Sequence, residues 1–190
     1  MPASVAAYLV LLVLVGVLRL VELKISQRNR RSMSDRGAEK VSEPVFRWMV
    51  LVHTGALVSA GVEVLVLHRP LIPGLAVAAL GVFLFANALR WWVIRTLASH
   101  WNVQIMASAK LGVVTGGPYR WVRHPNYLAV VLEFLSLPLI HTAWITAIWA
   151  TLGNLWVLKR RIAVEEEVLM ASPVYRTTMG SKPRFLPGLF

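Results

Sequence analysis

Long apolar runs alternate with short basic stretches along this chain. Val5–Val21 is interrupted only by Arg19, Trp48–Leu67 carries His53 and Glu63, and Gly74–Trp92 carries Asn87. A helix rises about 1.5 Å per residue, so about 20 residues cross the hydrocarbon of a bilayer, and each run with its flanks predicts a membrane-spanning helix. Two shorter runs, Leu128–Ile140 and Ala143–Leu158, meet at His141–Thr142 and predict a helical hairpin whose first arm is short for a straight crossing. The breaks carry turn chemistry: Gly37 offers a helix stop, Pro44 restarts the chain, and a proline closes each end of the turn before the third run. No basic segment precedes the first run and no small-residue cleavage site follows it, so it reads as a retained span. The expectation is an all-α integral membrane protein of about five transmembrane helices. It forms one domain over residues 1–190, with three spans in 1–92 and a cofactor and substrate region in 93–190.

Composition supports this. Hydrophobic residues make up 57% of the chain and charged residues only 15%, where a soluble domain carries about a quarter charged. The net charge of +11 lies between the apolar runs, so it points to orientation in an anionic membrane and not to nucleic acid. Lys24–Arg47 holds seven Lys/Arg and the tail from Lys159 holds six, whereas the His68–Pro73 turn has only Arg69. With five crossings the basic segments share one side, expected to be cytoplasmic, with the amino terminus outside and the carboxyl terminus inside. Such a protein would sit in a bacterial cytoplasmic membrane. Cysteine is absent, which removes disulfides, thiolate metal sites and a cysteine nucleophile; no metal site is expected.

Two stretches carry candidate chemistry. Gly116–Tyr127, GGPYRWVRHPNY, is basic, aromatic and turn-rich between apolar flanks. An interfacial loop facing lipid phosphate accounts for that composition equally well. The second is Lys159–Leu169, KRRIAVEEEVL, where Arg161 and Glu165 stand four apart on one helical face. A surface ion pair would explain that spacing, but this helix begins where the last span ends and can fold back beneath the hairpin toward Gly116–Tyr127. Arginine, histidine and glutamate would then converge at a membrane-facing pocket.

GPYRWVRHPNY, an apolar hairpin, RIAVEE and a terminal PRFLP, in that order, resemble the isoprenylcysteine carboxyl methyltransferase family over Trp101–Pro187. ELKISQRNRR and RGAEK are similar to bacterial members, some of them linked with methylating long-chain alkylpyrones. The resemblance implies an integral membrane O-methyltransferase that uses S-adenosylmethionine and releases S-adenosylhomocysteine. It places cofactor contacts at Gln104, at Leu111, Gly112, Val113 and Val114, at Tyr119, at His124, Pro125, Asn126 and Tyr127, and at Glu165. It places Arg161 near the reacting group. The residue types agree: a carboxylate suits ribose hydroxyls, aromatic rings suit a sulfonium, and an arginine suits an anionic acceptor. No glycine-rich strand–helix unit is present, so the pocket must be built from helices and loops. The partners implied are a lipophilic substrate entering from the bilayer and the membrane lipids. A sterol-type NADPH-dependent reductase and a non-catalytic lipid-binding protein remain as alternatives.

Other polar residues in the runs have plainer expectations. Arg19 and Glu22 pair locally, Glu133 either pairs with an arginine or has a function, and Glu63 reaches water. His53 is a packed polar group, and Asn87 and Asn154 bond between helices.

Overall fold

The structure, a computed structural model, describes residues 1–107 and 112–185. Its order is α1 (Ala3–Asp35), β1 (Glu39–Lys40), α2 (Phe46–Val66), α3 (Pro73–Leu97), β2 (Met106–Ala107), α4 (Pro125–Leu139), α5 (Trp144–Met170) and α6 (Pro173–Met179). Short 3-10 turns cover Ala98–His100 and Gly117–Arg120.

α1 runs well past the apolar segment that predicts it. Lys24–Asp35 continues the same helix for 33 residues in all, because Lys, Arg and Gln are good helix formers and Glu22, Ser26 and Met33 are buried along one side. The helix stops as Gly37 implies. Gly37 takes φ +79°, its N–H donates to the Ser34 carbonyl at 2.9 Å, and Ala38 N–H donates to Met33 at 3.0 Å. That is a Schellman cap, which needs the left-handed conformation glycine adopts freely.

Three helices among the described residues, α1, α2 and α3 with its trailing turn, are long and apolar enough to cross a membrane; α4 is a shorter apolar helix. Where five spans were expected, about three to four apolar helical spans are present among the described residues. α5 is apolar only to Leu158 and then turns polar. Its 27 residues still form one helix, so the hairpin arm and the charged segment after it are continuous. Exposed Val13, Val58, Val77, Phe85, Ile148 and Leu152 spread over α1, α2, α3 and α5. An apolar exterior of that extent is suited to lipid.

The bundle has two distinct ends. At the far end Val5, Tyr8, Leu12 and Val15 pack with Ala60, Val64, Ala79, Phe83 and the hairpin tip in one core. Tyr8 OH donates to Leu137 O at 3.2 Å and Thr142 Oγ1 to Pro70 O at 2.6 Å, so the hairpin tip reaches the level of the α2–α3 turn. Glu63 does not reach water there. It is buried and accepts from the N–H groups of Ile145 and Thr146, at 3.1 and 2.7 Å, and from Arg69 at 3.0 Å. A glutamate on α2 thus caps α5. Its exposure was expected from its place near a span end, but the unpaired N–H groups of a neighbouring helix start hold it inside.

At the polar end β1 and β2 pair antiparallel, Glu39 with Ala107 and Lys40 with Met106. This small ladder departs from a purely helical chain. It forms because the α1–α2 and α3–α4 connections lie side by side there, with Val41 N–H donating to Ile105 O at 3.0 Å. The basic α1–α2 and α3–α4 connections therefore share one end.

Candidate functional site at the polar end of the bundle

Gly116–Tyr127 is shaped by two constraints. Gly117 has φ +54° and its backbone presses on Thr96 of α3, where a Cβ would overlap the threonine hydroxyl. Pro125 then occupies the first turn of α4, where a proline costs no hydrogen bond. His124 precedes it, and its ring stacks on Tyr127 with centroids 5.3 Å apart.

α5 supplies the opposing side. Arg161 is buried. Its Nε donates to Tyr127 Oη at 3.0 Å, Nη1 lies 2.8 Å from Met49 Sδ and 3.2 Å from Glu43, and Nη2 donates to the Val103 carbonyl. Tyr127 OH donates to the Glu165 carboxylate. Arg161 and Glu165 therefore meet through Tyr127, and Arg161 forms its ion pair with Glu43. Glu43 also accepts from Ile105 N–H at 2.6 Å. One arginine thus joins α5, α4, the α1–α2 connection and the α3–α4 connection.

The tail closes the outer edge. Arg123 and His124 donate backbone N–H bonds to Pro183 and Arg184, both at 2.9 Å. Glu166 is the anchor: it accepts from His124 Nε2 at 3.1 Å and from Arg184 Nη2 at 2.6 Å, and lies 3.2 Å from Arg123 Nη1. Burial pushes the Glu166 carboxyl up, but the Arg184 and His124 hydrogen bonds and the Arg123 charge outweigh it and hold the group below the usual carboxylate range.

The expected residues divide into two groups. Tyr119, His124, Tyr127, Arg161 and Glu165 come together. Burial and then the Glu165 charge raise the Tyr119 phenol well above its ordinary value. The same two causes, in the same order, raise Tyr175 to about 12. Glu165 remains partly open, with 28% of its side chain exposed. Pro125 is buried at the helix start, and Asn126 Oδ1 is buried with no hydrogen-bond partner among the described residues. Gln104 follows Val103, whose carbonyl holds Arg161, but its own side-chain oxygen accepts from Arg30 at 3.0 Å. Gly112, Val113 and Val114 have no regular secondary structure; Leu111 lies outside the described residues. Sequence reasoning missed Glu43, Glu166 and Arg184. Arg184 stands in the PRFLP motif and Glu166 in RIAVEE, and Ile162 and Glu166 are four apart and share the buried face of α5; Glu43 stands in no such motif.

Several polar residues of the spans find partners on neighbouring helices. Arg19 bonds Glu22 at 2.8 Å and Asn87 at 3.2 Å, and Glu133 pairs with Arg90. His53 packs its ring edge on Phe134. Asn154 does not make the expected interhelical bond: it is buried, and neither side-chain polar atom finds a partner among the described residues. The apolar Val52 packs on the neighbouring Gly153, so α2 offers a methyl-bearing surface at this level.

The isoprenylcysteine carboxyl methyltransferase (ICMT) family model matches residues 79–171, which contain Tyr119–Tyr127, Arg161 and Glu165. The uncharacterized protein YpbQ of Bacillus subtilis is 30% identical over 160 residues, spanning 84% of this chain and 94% of that one. An uncharacterized protein of Haemophilus influenzae is 27% identical over 157 residues, covering 80% and 88%. Among solved structures, the eukaryotic intramembrane Ras methyltransferase ICMT aligns with a TM-score of 0.56 at 23% identity, over 75% of this chain. The chain spans about half the length of that structure, at 53%, and the likeness shows a shared membrane fold.

Proposed function

The chain belongs to the isoprenylcysteine carboxyl methyltransferase family, and we propose that it is a membrane O-methyltransferase using S-adenosylmethionine. Its substrate in this reading is the carboxylate or acidic hydroxyl of a lipophilic prenyl or long-alkyl compound entering from the bilayer. The observation that carries the reading is the convergence of Arg161 and Glu165 on the Tyr127 hydroxyl, beside His124, at the polar end of apolar spans.

The residues fit the cofactor's chemistry. Glu165 offers a partly open carboxylate for ribose hydroxyls. Asn126 offers an unpartnered buried amide oxygen for a hydroxyl or ammonium. Tyr119 and the stacked His124–Tyr127 pair offer aromatic faces for adenine or a sulfonium. When bound, S-adenosylmethionine supplies an electrophilic methyl group on a sulfonium sulfur. A carboxylate or acidic enol needs no strong base, so the protein's work is alignment and exclusion of water. Arg161, fixed by Glu43, Val103 and Tyr127, holds a full positive charge in a dry setting and biases a neighbouring acidic hydroxyl toward its ionised form. The clustering of basic segments at this end supports a cytoplasmic site and carboxyl terminus, with the amino terminus outside.

The test is transfer of tritiated methyl from S-adenosylmethionine to an organic-extractable product by the purified protein in bilayers, with a panel of long-chain acids and enols. Wild type is expected to label at least one class and Glu165→Ala none. Absence of labelling across the panel together with NADPH oxidation by a sterol-like substrate would replace the reading with a reductase.

A further inference from the structure

Four ionisable side chains meet inside the bundle, away from the site just described. Arg19 and Glu22 come from α1, Arg90 from α3 and Glu133 from α4. Arg19 Nη1 lies 2.8 Å from Glu22 and its Nη2 3.5 Å from Glu133. Arg90 Nη1 lies 3.7 Å from Glu22, and its Nη2 is paired with Glu133. Glu133 is six residues beyond Tyr127 along α4, about 9 Å deeper at ~1.5 Å per residue. Val15, Phe83, Val130 and Phe134 are buried on the same three helices.

Stability alone does not account for the quartet. Removing two ion pairs from water costs about as much as their attraction returns, and apolar side chains of like volume would serve packing as well. Ionisable groups within spans ordinarily mark a site. Moreover, the quartet is incomplete. Arg19 Nε, Arg90 Nε and Glu22 Oε1 are buried and have no hydrogen-bond partner among the described residues. Two donors and one acceptor are thus left in a cluster whose formal charges sum to zero. A ligand head that satisfies them must offer acceptor oxygen and a hydroxyl while adding no net charge. A hydroxycarbonyl group, as a protonated acid or an enol, has that set.

We propose that the Arg19–Glu22–Arg90–Glu133 quartet binds the uncharged hydroxycarbonyl head of a long-chain ligand dissolved in the membrane. The proposal rests on the methyltransferase reading only in taking that ligand to be the methyl acceptor, held here before it moves about two helical turns to Tyr127. No bond is made or broken at the quartet.

The test measures saturable binding of tritiated stearoylacetone, a long-chain β-diketone with an uncharged enol, to the full chain in phosphatidylcholine nanodiscs. Heptadecyl methyl ketone, which lacks the enol hydroxyl, is the control. Wild type is expected to bind the diketone at least tenfold more tightly than the ketone. The paired variant Arg90→Met/Glu133→Met, which keeps the cluster neutral, is expected to lose at least tenfold in diketone affinity while S-adenosylmethionine binding is unchanged. Equal binding of the two probes by wild type, or wild-type affinity in the folded paired variant, overturns the proposal. Should the paired variant not fold, Glu22→Gln replaces it, with the same tenfold loss expected and wild-type affinity overturning the idea. Diketone binding without S-adenosylmethionine binding would support this site and overturn the methyltransferase reading instead.

Discussion

Glu43, on the connection between α1 and α2, lies 3.2 Å from the Arg161 guanidinium on α5, and both side chains are buried. The pair couples the amino-terminal helices to the candidate site, although the family model begins only at residue 79. Breaking a buried pair by deleting one partner strands the other charge, which costs about 3–5 kcal/mol. Glu43→Ala is therefore expected to lower the Tm in detergent sharply. Glu43→Gln/Arg161→Met, which removes both charges, is expected to recover most of that loss without restoring methyl transfer. Equal melting of Glu43→Ala and wild type would show the pair to be unimportant.

The tail's docking has a pH dependence with a defined sign. Glu166 is held below the usual carboxylate range, so its contribution is complete above the ordinary glutamate value of about 4.3 and is lost as pH falls through the lowered folded value. Limited proteolysis of the tail is expected to be slow at neutral pH and to accelerate in acid. In Glu166→Gln, cleavage should already be fast at neutral pH and lose this acid step. An identical acid step in wild type and Glu166→Gln would assign it to another group.

Gly117 has a conformational and a steric requirement at once. Gly117→Ala would place a side chain at φ +54° and against Thr96. The left-handed conformation costs about 1 kcal/mol and the overlap about 1–3 kcal/mol. A lowered Tm is expected, with Thr96→Ala in the same chain relieving only the steric part. Full recovery in the double variant would leave no role for φ.

Capping from another helix gives Glu63 its value. Glu63→Ala strands the N–H groups of Ile145 and Thr146, and a loss of about 2 kcal/mol or more is expected from the absent cap and the unpaired donors. Glu63→Gln keeps an acceptor and should lose less. Thermal melting of the two variants side by side checks the order; no difference between Ala and wild type would mean that the cap adds nothing.

The helices were legible because lipid imposes length and apolarity on them, and Gly37 and Pro44 mark breaks that only certain backbones permit. Hydropathy could not reveal that α1 continues to Asp35, since the helix propensity of Lys24–Asp35 is independent of its polarity. Tyr119, His124, Tyr127, Arg161 and Glu165 were singled out by the resemblance that their ordered motifs carry, and the structure brings them to one end of the bundle. Which acid meets which base was not legible, because those contacts are tertiary. Arg161 meets Glu43 across the bundle while its helical neighbour Glu165 bonds Tyr127, and Glu166 collects Arg123, His124 and Arg184 only because the tail folds back. Glu63 and Asn154 show the same limit. One found a neighbouring helix start, and the other finds among the described residues none of the partners that its residue type suggests.

Calorimetric titration of S-adenosylmethionine and S-adenosylhomocysteine into the purified protein, with Glu165→Ala beside wild type, tests the central claim most directly. The account predicts saturable micromolar binding to wild type, about −8 kcal/mol, and its loss in the variant with the fold intact. Wild-type protein that is folded and binds neither molecule would contradict it.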